Sequence, residues 1–365
     1  MTKKARFLIP ITAVLVFFYV ILSAKILPKE IQFKPEWTID IDTAELSKND
    51  GFKKNETVTD FSVVPFKLGQ TLGYISQEGT LINRVSFPYK AAVSENSYAP
   101  YGTDSEQIDF FYPDGTKNGT ISETGFPYFT EDRKCLFLPG GSIFAVFNND
   151  GSKKWSYGGI SPITAFATSK SGVIAGFADG NVIAFNNDGE IIQQYKPGGS
   201  SYEVIYGVAM SDSGKFTATL SGQENQRFVI SEKHSNEIGS NSSIIFYKTL
   251  KNELNRQVII KFTKDEKNVY YSSADGVGLV NLKTMKSTMI PINGKILSIR
   301  ESDDEKEVFI LSKEKNSYMV SAVEGFGILA GAFSFDASSA CIATARDSIF
   351  VGRDSKISKI KIERE

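Results

Sequence analysis

Beyond residue 30 the chain is a succession of short apolar runs separated by polar, glycine-bearing breaks. "ITAFAT", "VIAGF" and "NVIAF" follow one another between residues 163 and 185, divided by "SKSG" and "FADG". The runs are rich in β-branched and aromatic side chains, and the breaks recur every 8 to 12 residues. That is the pattern of strands joined by tight turns. No segment after residue 30 sustains a helical period with caps at its ends. The bulk of the chain is therefore read as all-β.

The breaks are themselves periodic. "VFNNDG" ends at Gly151 and "AFNNDG" at Gly189, 38 residues on. Working backward, "FFYPDG" ends at Gly115 and "GYISQEG" at Gly79, each a step of 36. Ile75, Phe111, Phe147 and Phe185 all stand four residues before the glycine. Asp-Gly between apolar runs marks a tight hairpin, because such a turn needs positive φ and glycine adopts it without steric cost. About four strands in each repeat of 36 to 38 residues is the unit of a β-propeller, whose blades bury one another around an axis. Turns of this class near 79, 115, 151, 189, 235, 285, 323 and 354 predict eight four-stranded blades over residues 58–365, with seven as the alternative. The ring must close. Either "KISKIKIE" at the C-terminus completes the last blade, or "EWTIDID" (residues 36–42) pairs there as a closing strand.

"VIAGFADGNVIAFNNDGEIIQQYKPG" resembles a blade of the quinoprotein-type (PQQ-like) propellers, and more loosely one of the WD-repeat propellers. The likeness covers about residues 140–200, where Trp155 in "GSKKWSY" stands as the family's docking aromatic. Ile192 and Gln193 depart from that pattern, and no Gly-His…Trp-Asp signature occurs. The resemblance implies the fold. It does not imply the enzyme activity of some relatives, and propellers of this kind without cofactor residues include subunits of cell-envelope assemblies.

The first thirty residues differ. Phe7 to Ala24 carries no charge over 18 residues, close to the ~20 that cross a bilayer as a helix. Lys3, Lys4 and Arg6 precede it, so residues 1–6 are expected in the cytoplasm and the rest outside. Cleavage as a signal peptide is the competing reading, but the apolar run exceeds the usual core of about 7–15 residues. The expectation is a single-pass anchor at 7–24 in the inner membrane, then a polar tether over 25–57 that includes the candidate closing strand.

Charge and chemistry narrow the function. The net charge is −1 with 41 basic and 42 acidic residues and no basic stripe, which argues against nucleic acid as a partner. The two cysteines, Cys135 and Cys341, lie in distant repeats and read as buried thiols rather than a disulfide framework. One histidine, His234, has no nucleophile elbow to serve, and no phosphate loop or Ca²⁺-loop spacing occurs. "ESDDEKE" (residues 301–307) reads as a solvated turn. The expected function is a non-catalytic interaction scaffold with a protein partner and no cofactor; a quinone- or metal-dependent propeller enzyme and a ligand-sensing propeller are the alternatives. "EKHSNEIGSNSS" (residues 232–243) departs from the repeat. Loops carried on rigid strands are where binding tends to sit. The candidate partner surface is therefore His234, Asn236 and Glu237 with the neighbouring aromatics Tyr202 and Tyr206; ordinary packing between blades is the other reading of the tyrosines.

Overall fold

The computed structural model describes residue 14 and residues 16–19, 31–47, 63–234 and 242–364. Their strands form eight antiparallel sheets, the eight blades of a β-propeller. Blade 1 comprises Val64–Leu68, Thr71–Ile75 and Leu81–Ser86; blade 2, Lys90–Val93, Tyr98–Tyr101, Ile108–Phe111 and Lys117–Ile121. Blade 3 comprises Phe126–Phe129, Lys134–Phe137, Ile143–Phe147 and Lys153–Gly158; blade 4, Ile163–Ser169, Gly172–Phe177, Val182–Asn186 and Ile191–Tyr195. Blade 5 is Tyr202–Met210, Phe216–Gln223, Arg227–Lys233 and Ser242–Thr249; blade 6, Ile260–Phe262, Asn268–Ser273, Gly276–Asn281 and Ser287–Ile290. Blade 7 is Lys295–Glu301, Glu307–Glu314, Ser317–Glu324 and Ile328–Asp336. Blade 8 takes Ala340–Ala345, Ser348–Arg353 and Lys356–Arg364 from the C-terminus and Ile31–Asp40 from the N-terminus.

The middle strands lie between neighbouring blades and are covered on both faces. All six residues of Gly172–Phe177 are buried, which is why "VIAGF" is continuously apolar rather than alternating. Outer strands such as Lys153–Gly158 meet solvent on one face and alternate. Gly79, Gly115, Gly151 and Gly189 all have positive φ, between 84° and 91°, and each joins the third strand position to the outer one.

The two candidate closing strands pair with each other. Ile31 stands opposite Arg364 and Asp40 opposite Lys356, with a bulge at Glu36 between Pro35 and Trp37. The strand begins at Ile31, five residues earlier than "EWTIDID", and so occupies part of the stretch read as tether. Two further details differ from the sequence reading. The turn at Asp354 joins the second and third strands of blade 8, because the N-terminal strand takes the fourth place. Blade 1 shows three strands, and the place of an inner strand before Val64 lies outside the described residues. Of the anchor span at 7–24 only residues 14 and 16–19 are described; among the described residues no helix is long and apolar enough to cross a membrane.

Neighbouring blades are locked by the residue four positions after each turn glycine. Trp155, four after Gly151, lies on the blade 4 turn: its Nε1 donates to the Asn187 carbonyl at 3.1 Å, and a Cβ on Gly189 would stand 2.7 Å from its ring. At the same place, four after Gly189, Gln193 is 1% exposed and accepts from Thr217 Oγ1 at 3.0 Å. The family's aromatic contact is replaced there by a hydrogen bond. At Gly119 the backbone itself closes the seam, since a Cβ would come 2.7 Å from the Asp150 carbonyl oxygen. Trp37, on the closing strand, covers the blade 1 turn as Trp155 covers that of blade 4; a Cβ on Gly79 would be 3.1 Å from its ring.

Candidate functional site

Strand direction fixes two rims. In an antiparallel blade the first-to-second and third-to-fourth turns emerge on one side, here the turn rim. The second-to-third turns and the links between blades emerge on the opposite side, the crossover rim. Around the turn rim the first-to-second turns of blades 2 to 8 are linked to their neighbours. Asn96 donates to the Glu131 carbonyl at 2.9 Å, and Arg133 to the carbonyls of Ser169 and Lys170 at 2.9 Å each. Ser213 Oγ donates to Glu266 at 2.7 Å, the Lys264 amide to Glu301 at 2.8 Å, and the Arg346 amide to Asp303 at 2.6 Å.

The turns of blades 6 and 7 share one build, 39 residues apart in the chain (Thr263 and Ser302). Thr263 Oγ1 donates to Asp265 at 2.7 Å, and Ser302 Oγ to Asp304 at 2.8 Å. Glu266 and Glu305 follow at positive φ. Between these turns lies a cleft of about 520 Å³, lined by Thr263, Asp265 and Asn268 of blade 6, Glu301, Glu305, Lys306 and Glu324 of blade 7, and Arg364 of blade 8.

Its charges are unevenly matched. Arg364 Nε donates to Glu307 at 2.6 Å, and its guanidinium lies 3.4 Å from Asp304 and 3.7 Å from Glu324. Lys306 pairs with Asp304 at 2.8 Å. Burial pushes the Asp304 carboxyl up, but hydrogen bonds from Lys306 and Ser302 outweigh it and hold the group at about 2. Glu301 is different. It is 6% exposed, one oxygen accepts from the Lys264 amide, and burial holds its carboxyl above the usual range. Glu324 is shifted the same way by burial and by the neighbouring charge of Glu307. Glu307 itself is 1% exposed, so "ESDDEKE" is a solvated turn only at its centre; its first and last residues are buried.

Beside the cleft stands an apolar hairpin. Gly325 and Gly327, at φ 52° and 82°, turn the chain between the last two strands of blade 7. Phe326, Ile328 and Leu329 are left 39%, 48% and 48% exposed.

The residues singled out from sequence do not form one surface. Tyr202 is exposed and pairs with Gln223 at the crossover rim. His234 follows Lys233, which pairs with Ser242 at the turn rim, and its Nε2 lies 2.6 Å from Ser243 Oγ. The blade 5 sheet therefore places Tyr202 and His234 at opposite ends. Tyr206 is 8% exposed, is hydrogen-bonded through its hydroxyl by Gln223 at 2.7 Å, and packs among Ile260, Phe262 and Tyr271. Its role is packing between blades. Asn236 and Glu237 lie outside the described residues. Cys135 and Cys341 carry free thiols, and burial pushes that of Cys135 up to about 12.

A family model described as β-propeller protein matches residues 1–365. The chain belongs to that family. A protein of Treponema pallidum (strain Nichols), itself described as uncharacterized, is 25% identical over 362 residues, covering 99% of this chain and 95% of that one. Among solved structures, BamB from Moraxella catarrhalis superposes with a TM-score of 0.59 at 11% identity, over 90% of this propeller and 100% of that chain. Hsv2 of Kluyveromyces lactis gives 0.52 at 10% identity, over 75% of this chain and 96% of its own. Both likenesses are of fold.

Proposed function

We propose that this propeller is a protein-interaction scaffold, held by the segment 7–24 at the outer face of a bacterial inner membrane and serving a cell-envelope assembly without catalysis. The observation that carries the reading is the exposed run Phe326, Ile328, Leu329 beside a charged cleft on the turn rim. An apolar patch edged by polar groups marks a contact surface on a folded protein. The anchor rests on the uncharged stretch and its basic flank. The test is photo-crosslinking in cells with the full-length chain. A photoreactive residue at Ile328 should give a discrete protein adduct, and one at Tyr202 on the opposite rim should not. Adducts from neither position, or only from Tyr202, would remove the reading. A reporter active only in the cytoplasm, fused after Glu365, should be silent.

A further inference from the structure

We infer that the cleft between blades 6 and 7 receives a lysine or arginine side chain of the protein partner, with Glu301 as the acceptor at its floor. The inference rests on the scaffold reading and names the chemistry of the contact. More than nine-tenths of Glu301 is buried, yet it lines the cleft. One of its oxygens accepts from the Lys264 amide at 2.8 Å; among the described residues no cation pairs with the carboxylate. A buried carboxylate left in that state is costly and either takes a proton or takes a cation.

The neighbouring cations are already engaged. Lys306 pairs with Asp304, and Arg364 with Glu307 and Asp304. Lys261 and Lys264 act on Glu301 only at longer range: Lys261 donates to the Ile299 carbonyl at 3.5 Å, and Lys264 Nζ lies 3.5 Å from Asp303. The lining holds four acids (Asp265, Glu301, Glu305, Glu324) against two bases (Lys306, Arg364), so 2 − 4 leaves −2. An anionic group would meet repulsion there, and a cationic side chain would meet a carboxylate with a free oxygen in a partly desolvated site, where a charge-assisted hydrogen bond is strong. About 520 Å³ accommodates one such side chain. The hairpin at 326–329 adjoins the cleft through Gly325, which belongs to both, so residues flanking the cation should be apolar.

The test uses the full-length protein in detergent and three probes: acetyl-Leu-Arg-Leu-amide, acetyl-Leu-Glu-Leu-amide and a divalent cation alone (magnesium or calcium chloride). By calorimetry the arginine peptide should bind, and Glu301→Gln should weaken it at least tenfold while Glu131→Gln, on blade 3, leaves it unchanged. Glu324→Gln serves as a second cleft variant if Glu301→Gln melts early, and should weaken binding in the same direction. Equal binding of the arginine and glutamate peptides overturns the inference, as does insensitivity to both cleft variants. Magnesium or calcium binding with the same dependence on Glu301, and no peptide binding, overturns it in favour of a metal site. In cells the crosslink at Ile328 separates the two readings. An adduct at Ile328 that persists in Glu301→Gln sinks this inference and leaves the scaffold standing; loss of every adduct while the peptide still binds sinks the scaffold.

Discussion

Two seams of the ring make the same contact by different means. Between blades 3 and 4, Trp155 covers the turn at Gly189; between blades 8 and 1, Trp37 covers the turn at Gly79. These are the only two tryptophans in the chain. The strand bearing Trp155 is tied to its sheet by a covalent hairpin through Gly151. The strand bearing Trp37 has no such turn; it is held to its sheet by backbone pairing over nine registered positions with Lys356–Arg364, joined by the Thr38–Ser358 hydroxyl contact and the Glu36–Lys359 ion pair. The docking aromatic thus belongs to the seam and not to the hairpin, and ring closure is an ordinary seam assembled from the two ends of the chain.

The largest effect should come from removing the hydrogen-bonded strand. Deleting residues 31–40 from the full chain strips the outer strand of blade 8 and uncovers Phe350, which Trp37 contacts at 5.8 Å between centroids. Cooperative unfolding in urea should be lost or its midpoint should fall steeply; an unchanged midpoint would show that the ring does not depend on this pairing. Next come the turn glycines. Gly151→Val places a branched side chain at φ 91° with its Cβ 2.2 Å from the Thr120 carbonyl oxygen. The cost should reach the top of a range of roughly 1–3 kcal/mol. Gly189→Val meets the Trp155 ring instead and should cost less, since a side chain yields more readily than backbone. Denaturant curves that rank the two the other way would break the account of the seams.

Trp37→Ala and Trp155→Ala should each cost about 2 kcal/mol, below the 3–5 of a fully buried ring because both rings are partly exposed. Limited proteolysis should tell them apart, with the N-terminal strand released first in Trp37→Ala alone. The smallest effect is one of pH. The folded-state pKa of Glu301 is raised above 4.5, so the folded protein holds that proton more tightly than the unfolded chain does. Its contribution therefore falls as pH rises from about 4.5 through the folded value. Asp304, held at about 2 from an ordinary 3.8, acts oppositely and loses its contribution as pH drops across that interval. Urea midpoints between pH 4 and 7 should decline less steeply in Glu301→Gln than in the parent; identical slopes would count against an unpaired Glu301.

What could be read from sequence was local and periodic. Gly115, Gly151 and Gly189 declare themselves because turn chemistry is written in a few adjacent residues, and Phe147 and Phe185 keep register because each is buried near the end of a third strand. Pairing of Ile31–Asp40 with Lys356–Arg364 was legible as two alternatives but not as one ladder, since nothing in either stretch encodes the other's distance. Tyr202 and His234 look like neighbours along one insertion-bearing repeat, but two reversals of direction carry them to opposite rims. The cleft was hidden for the same reason: Thr263, Glu301, Glu324 and Arg364 come from three blades and from the end of the chain. The repeated Thr263–Lys267 and Ser302–Lys306 turns were the one signal that would have pointed to it.

The ladder between Ile31 and Arg364 spans 333 residues of chain, so time enters the fold. A ribosome adding about 5–20 residues per second needs roughly 15 to 70 s between making the first partner and the last. Contacts so distant in sequence also carry the largest loop-closure cost and form late. For that interval Ile31–Asp40 is an unpaired edge with its tryptophan uncovered, the kind of strand that pairs with whatever edge it meets first. Blades 2 to 7 can mature around hairpins as they emerge. Of the two paired strands the one synthesised earlier waits for the other, and a cell making this protein must keep it from straying until residues 356–364 arrive.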